Sequence, residues 1–270
     1  MALYGLIAGI QGNREALSAA LEALERHGAD RVVCLGDVVG YNADPEECVA
    51  LVRGRCASAI AGNDDLIGVR QLDFRRCSTK AEYSLRRTRR ALSPESRAWL
   101  AALPAVRILQ EGVVLVHGGV RDVEQPMASA EHIRENAQLL REDFPGARLC
   151  FYGHGHEQKV YRVEGNEAEE LPGDRHALEE NHLYFVSPGS VDASRKRGPR
   201  LAECALFDSL DRTIDFLRVP YDSAATEAKA IVFGYRINPL TDRLYTLRRR
   251  TASAARRIGE RLTRAAHTGR

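Results

Sequence analysis

The chain has 270 residues, of which 44% are hydrophobic and 28% charged, and its formal net charge is +2. It is long enough to bury one substantial core, and the near-neutral balance excludes binding to polyanions or anionic membranes through overall charge; any such preference must be local. Cys34, Cys48, Cys56, Cys77, Cys150 and Cys204 form no CxxC pair and are too sparse for a disulfide-stapled secreted domain, so they read as reduced thiols.

In chain order, the opening MALYGLIAGIQGN has a short apolar run with no basic lead-in, interrupted before it could span a bilayer. A cytoplasmic location without a transmembrane segment is expected. Short β-rich runs then alternate with amphipathic stretches, the pattern of an α/β layered fold. Leu3 to Ala8, Arg31 to Leu35, Ala57 to Ala61 and Val113 to Val116 read as buried strands. Leu17, Ala20, Leu21 and Leu24 fall at helical spacing between the first two. Asp44-Pro45-Glu46-Glu47 is a helix start, with a capping residue, proline in the first turn and acids near the positive dipole end.

Beyond Pro126, a helix from Ala130 to Arg141 leads to a strand from Arg148 to Tyr152. Val160 to Val163, Leu183 to Val186, Ala202 to Phe207 and Thr213 to Val219 then read as strands separated by turn-rich segments, which predicts a second, more antiparallel sheet. Two facing sheets with helices outside make a four-layer α/β/β/α sandwich. The expected division is one domain over 1–245 and a basic amphipathic tail over 246–270.

Polar residues just after apolar runs are site candidates, because loops at the carboxyl ends of strands converge on one crevice. Four segments qualify: Leu35-Gly36-Asp37, Gly62-Asn63-Asp64-Asp65, His117-Gly118-Gly119 and Gly153-His154-Gly155-His156. Singly, each reads as a cap, a turn or scaffolding. Jointly they offer a carboxylate, an amide oxygen and imidazoles, donors that suit Zn, Mn or Fe. The glycine before Asp37, Asn63 and His154 and the one after His117 are expected to let the backbone turn sharply at the ion.

The order Gly-Asp, Gly-Asn-x-Asp, His-Gly, Gly-His-x-His resembles the calcineurin-like metallophosphoesterases, particularly the small bacterial phosphodiesterase branch. Leu35 to Asn42, Asp44 to Cys48, Ser187-Pro188-Gly189-Ser190-Val191 and Tyr221-Asp222 are similar to segments of that branch, so the resemblance covers roughly residues 1 to 245. It implies two metal ions sharing one bridging aspartate, a bridging water that attacks phosphorus, and a histidine assisting the leaving group. Carried over by position, it implies that one metal is held by Asp37, Asn63, His117 and His154, all of the expected type.

The other metal's set departs from the pattern. Where the family has an Asp-x-His pair, this chain has Gly9 and Gln11, so only Asp37 and the weaker His156 remain. Glycine offers no side-chain oxygen, and a glutamine carbonyl is a weaker donor to a dication than a carboxylate. Asp64 stands where the family has its catalytic histidine; an ionised aspartate has no proton to donate and repels an anionic substrate. The expectation is one divalent metal (Mn, Zn or Fe) and a pseudo-phosphoesterase with a binding or regulatory role. The competing reading is a mononuclear metal-dependent phosphomonoesterase or phosphodiesterase, rescued by a carboxylate from Asp64, Asp65 or Asp122.

Two basic regions bear on partners. Arg70 to Arg90, expected to cap the site, holds seven arginines and Lys80 against Asp73 and Glu82. Arg248 to Arg270 holds eight arginines against Glu260, with Ala255, Ile258, Leu262 and Ala265 at 3-4 spacing. Solvated faces, packing on the body or on a second subunit, and docking on an acidic protein, RNA or anionic lipid all fit this tail. It lacks aromatic residues for base stacking, which makes nucleic acid the weaker partner. A phosphate-containing ligand is the expected occupant of the cleft.

Overall fold

The computed structural model describes residues 2–192, 199–243 and 246. The first half runs β1 (Leu3–Ile7), α1 (Arg14–Arg26), β2 (Arg31–Cys34), α2 (Pro45–Arg55), β3 (Ser58–Ala59), α3 (Asn63–Gly68), α4 (Thr79–Ala91) and α5 (Pro94–Ala101). It continues with β4 (Val106–Gln110), β5 (Val113–Val116), α6 (Ala130–Asp143), β6 (Leu149–Phe151) and β7 (Gln158–Glu164). The second half closes with β8 (Glu167–Leu171), β9 (Arg175–Ala177), β10 (Leu183–Pro188), β11 (Leu201–Asp208), β12 (Thr213–Pro220) and α7 (Ser223–Val232). Most of the basic tail expected over 246–270 lies outside the described residues.

Two six-stranded sheets face each other, ordered β3-β2-β1-β11-β12-β9 and β4-β5-β6-β10-β7-β8. The parallel strands are β3, β2 and β1 on one side of the first sheet and β5, β6 and β10 in the middle of the second. Antiparallel strands complete both. Alternation along the strands splits the side chains between two cores. Leu6, Val33, Leu115, Phe151, Val186 and Phe207 meet between the sheets. Ile7, Cys34, Cys204 and Leu206 point the other way, onto Leu17, Leu21 and Leu24 of α1 and Val49 and Val52 of α2. On the outer face of the second sheet, Val114, Cys150 and Phe185 pack on Ile133, Ala137 and Leu140 of α6. The four-layer α/β/β/α sandwich follows.

The expected grouping of strands is corrected. The run over 160–163 and the run over 183–186 do share a sheet, but with β5 and β6, while β11 and β12 join β1 in the first sheet. The reason is visible in β11: it is buried on both faces, Cys204 and Leu206 toward α1 and Ala205 and Phe207 toward the second sheet, so it needs a central position. Apolar periodicity identifies a strand but does not say which strand it pairs with. The helices α4 and α7 and the edge strand β8, with its acid-rich EAEEL sequence, are not among the elements that the sequence predicts.

Five of the seven described helix starts carry a side-chain cap; α3 begins at Gly62, which has no side chain to offer, and α2 is the other exception. Asn13, Ser78, Ser93, Ser129 and Asp222 each accept a backbone N–H of the first turn. Asp44 precedes Pro45 at the start of α2 but makes no cap hydrogen bond. Its carboxylate pairs instead with Lys229 of α7, which also binds Glu15 of α1 at 2.7 Å. All six cysteines are free thiols, as expected.

Candidate metal centre

The site lies at the carboxyl ends of the central strands, where the loops after β1, β2, β3, β5 and β6 meet. Two of these loops pack back to back. A Cβ at Gly62 would overlap the backbone nitrogen and carboxylate of Asp37, and one at Gly36 would overlap the backbone of Gly62. The glycines were expected to permit sharp turns. That holds for Gly36, at φ +90°, whereas Gly62 is extended at φ −93° and is required for the close approach. Asp37 itself adopts φ +57°, a left-handed conformation that aspartate tolerates better than most residues.

Asp37, His117 and His154 are brought together, with one ligand atom of each lying within 4.8 Å of the others. His117 Nδ1 lies 2.6 Å from the Leu35 carbonyl oxygen, which can only accept, so the proton is on Nδ1. Nε2 then faces Asn63 Oδ1 at 3.0 Å and Asp37 Oδ1 at 3.4 Å. Two oxygens and a ring nitrogen converging in a buried place require a cation between them, either a second proton on His117 or a metal ion. The Asn63 amide is oriented for this, because its Nδ2 donates to Asp64 Oδ1 at 3.2 Å. His154 N donates to the His117 carbonyl at 2.8 Å, which ties the fourth donor to the third. The set therefore fits a divalent metal ion with nitrogen and oxygen donors.

The electrostatics express the same need for positive charge. Burial pushes His117 down, but the Asp37 charge, its hydrogen bond and the Leu35 carbonyl outweigh burial and raise it to about 9. Burial likewise opposes ionisation of Asp37, yet His117, with His156 and His154 nearby, holds its carboxyl well below the usual range. Asp65 is driven up to about 7, first by burial and then by the Asp37 charge, against two backbone hydrogen bonds that favour ionisation.

The other half of the site is filled by protein. Gln11 Nε2 lies 3.5 Å from Asp37 Oδ2 and 3.4 Å from Asp64 Oδ2, so a neutral amide sits between two carboxylates. Gln11 is 1% exposed, and its Oε1 has no hydrogen-bond partner among the described residues. A Cβ at Gly9, which has φ +58°, would stand 2.8 Å from His156 Nδ1 and 2.7 Å from Ser190 Oγ. His156 is thus close to the site but outside the cluster formed by Asp37, His117 and His154. Asp64 N donates to Asp37 Oδ1 at 2.9 Å, holding the shared carboxylate in place from the start of α3.

Two proposed rescues are corrected. The Asp65 carboxylate accepts Gly62 N and Val39 N at 2.9 and 3.0 Å and is used up in closing the loops. Asp122 lies away from the cluster and binds the Arg76 guanidinium at 2.7 Å, latching the segment before α4 to the loop after β5.

A cleft of about 760 Å³ opens over the cluster, floored by Asp37, Asn63, Asp64, His154 and His156. Its walls include Tyr41, Arg76, Lys80, Arg200, Tyr235 and Arg236. Arg236 forks onto Glu227 at 2.8 Å and reaches Tyr41 O and Asn42 Oδ1, both at 3.0 Å, which fixes the loop after β2 against α7. The capping role expected of Arg70 to Arg90 is borne by Arg76, Cys77, Ser78, Lys80 and Ala81. Arg200, Tyr235 and Arg236 were missed, since nothing local marks them and only the chain's return along β11 and α7 brings them here.

Comparisons with known proteins agree with this geometry. The model of the calcineurin-like phosphoesterase superfamily domain matches residues 4–212. The uncharacterized protein MJ0912 of Methanocaldococcus jannaschii is 30% identical over 225 residues, covering 82% of this chain and 88% of that protein. The crystal structure of a metallophosphoesterase from Sphaerobacter thermophilus superposes with a TM-score of 0.73 at 26% identity, over 91% of this chain and 98% of that one. Hypothetical protein PH1004 from Pyrococcus horikoshii shares the fold, with a TM-score of 0.65 at 18% identity over 91% and 98% of the two chains. The chain belongs to the calcineurin-like phosphoesterase superfamily, a metal-dependent family.

Proposed function

We propose that this protein holds one divalent cation at Asp37, Asn63, His117 and His154 and binds a phosphate-containing ligand over it with little or no turnover. It is a pseudo-phosphoesterase with a binding or regulatory role. The observation that carries this reading is the Gln11 amide lying between Asp37 Oδ2 and Asp64 Oδ2, where it takes up carboxylate oxygens that a second cation would need. When bound, a divalent cation supplies Lewis-acid polarisation of a phosphoryl oxygen. The chain's own residues supply the rest: Lys80 presents positive charge across the cleft from the cluster, where Arg200 and Arg236 share the single carboxylate of Glu227. Asp64 stands where the resemblance places a proton-donating histidine and does not replace it, and loss of general acid catalysis alone removes about 10² to 10⁴ in rate.

The completeness of the four-residue set, with the unpartnered Gln11 Oε1 beside it, favours the second reading, slow hydrolysis with one metal. Metal analysis of the purified protein, with a phosphodiesterase assay in added Mn, separates the two. The expected result is about one metal per chain and hydrolysis at background. Two metals per chain, or turnover that His154→Ala abolishes, would overturn the pseudo-phosphoesterase reading.

A further inference from the structure

Four cations line the walls of the cleft over the cluster: Arg76, Lys80, Arg200 and Arg236. Three of them are already engaged. Arg76 binds Asp122 at 2.7 Å, and Arg200 and Arg236 hold the Glu227 carboxylate at 3.7 and 2.8 Å. Lys80 is the exception, since its ammonium has no carboxylate or other acceptor within reach among the described residues. On an open helix face such a lysine is simply hydrated. Lining a concave space it does more, because low-dielectric walls focus its field on whatever anion enters.

The helix that carries Lys80 fixes where its side chain starts. Lys80 stands in the first turn of α4, whose inner face buries Ala81 and Leu85 with Ile67 of α3. Further along α4, Thr88 Oγ1 donates to the Gly40 carbonyl at 3.0 Å and the Arg89 guanidinium to the Ile67 carbonyl at 2.6 Å. At the entry to α4, the Arg76–Asp122 pair ties the chain to the loop after β5. With both ends of the helix held, the lysine stem leaves from a set place on the wall and its charge stays uncommitted.

Size points the same way. The cleft of about 760 Å³ lies in the range of roughly 300–1,000 Å³ that takes whole organic ligands, so a lone phosphate on the cluster would leave most of it, and the Lys80 wall, unfilled. A phosphate monoester, with about −1.5 to −2 charges near pH 7 and three acceptor oxygens, matches the three donors of an ammonium better than a carboxylate does.

We infer that the ligand of this cleft is an organic bisphosphate, with one phosphate group on the cluster and the second on Lys80. This rests on the phosphate-ligand reading above and adds the ligand's class to it. Lys80 is then the specificity-determining residue, the one that separates a bisphosphate from a monophosphate of the same skeleton.

Titration calorimetry of the full chain in added Mn, with fructose monophosphate and fructose bisphosphate as probes, tests this. The bisphosphate is expected to bind about tenfold or more tighter, and Lys80→Ala to weaken its binding by about tenfold or more. Lys80→Arg, which keeps the charge, should restore most of that loss. Lys80 is exposed, so these variants should fold, which circular dichroism checks. Arg90→Ala removes an exposed cation from the same helix outside the cleft and should leave the preference in place. Equal affinity for the two probes, or a preference that survives Lys80→Ala, would overturn the inference while the phosphate-ligand reading stands. A loss as large with Arg90→Ala would also overturn it, by showing attraction through overall charge. Binding of neither probe would overturn both.

Discussion

His156 occupies the space that any side chain at Gly9 would need: a Cβ there would stand 2.8 Å from His156 Nδ1. Ser190 closes the same space from the other side, and its hydroxyl donates to the Gly9 carbonyl at 2.9 Å or to the Asp192 carbonyl at 3.0 Å. The absence of a side chain at position 9 is therefore matched by His156 and Ser190 packing into the space.

Restoring an aspartate alone should not restore the site. Gly9→Asp must adopt φ near +58° and displace His156, which is expected to cost about 1–3 kcal/mol of stability in a denaturant melt and to add no second metal. The triple change Gly9→Asp, Gln11→His, Asp64→His removes the amide from between the carboxylates and is expected to bind additional metal. If it binds none and gains no activity, the half-site has been assigned to the wrong residues.

A single bound ion should be measurable as stability. At a metal concentration about 100-fold above Kd, binding to the folded state alone contributes about 2.7 kcal/mol, so chelation should lower Tm by roughly 5–10 °C. His154→Ala should abolish that difference while leaving the chelated protein's Tm close to that of the chelated parent. A chelator-insensitive parent would show that the four residues form a hydrogen-bond network without metal.

Metal uptake should depend on pH in a defined direction. His117 is raised to about 9 in the metal-free fold, so at neutral pH its Nε2 holds a proton that a metal must displace. Apparent affinity should rise about tenfold per pH unit up to about 9, with close to one proton released per ion near pH 7, as titration calorimetry in two buffers would read. For the metal-free protein the sign is opposite. The raised His117 contributes stability that is fully present below 6.5 and lost as pH rises through about 9, while the lowered Asp37 contributes stability present above 3.8 and lost on acidification. Urea melts of the chelated protein should therefore be most stable in weakly acidic to neutral buffer.

Glu46 connects two helices that carry no site residue. Its Oε1 accepts the Ser93 and Ser96 hydroxyls, each at 2.6 Å, and its Oε2 accepts Ser93 N at 3.1 Å, so α2 holds the start of α5. Burial disfavours the charged form, but these hydrogen bonds together lower the Glu46 carboxyl below its ordinary value. Glu46→Ala leaves the two hydroxyls without their acceptor and is expected to cost about 1–3 kcal/mol, with metal binding unchanged.

The cluster of candidate donors was legible because its residues follow strands and carry their own markers. Asp37, Asn63, His117 and His154 each sit beside a glycine at the end of an apolar run, and each comes within the cluster or its first contacts. The altered half was legible only as substitutions. That Gln11 donates to both carboxylates, and that His156 and Ser190 close the space at Gly9, depends on the loops after β1, β2, β6 and β10 and the start of α3 meeting in space. Asp122 shows the converse, since its position just after the His117 loop suggested a ligand and Arg76 claims it.

The amino-acid sequence by itself determined the layered α/β class and marked the superfamily and the candidate donors, because period, capping and glycine-flanked polar residues are local properties of the chain. The pairing of β11 with β1, the cationic wall of Arg200 and Arg236, and the exposed apolar end of α7 at Ile231 to Phe233 were decided only by tertiary structure. Each depends on which faces are covered and by what, and burial is a relation between distant segments that no local stretch of sequence contains.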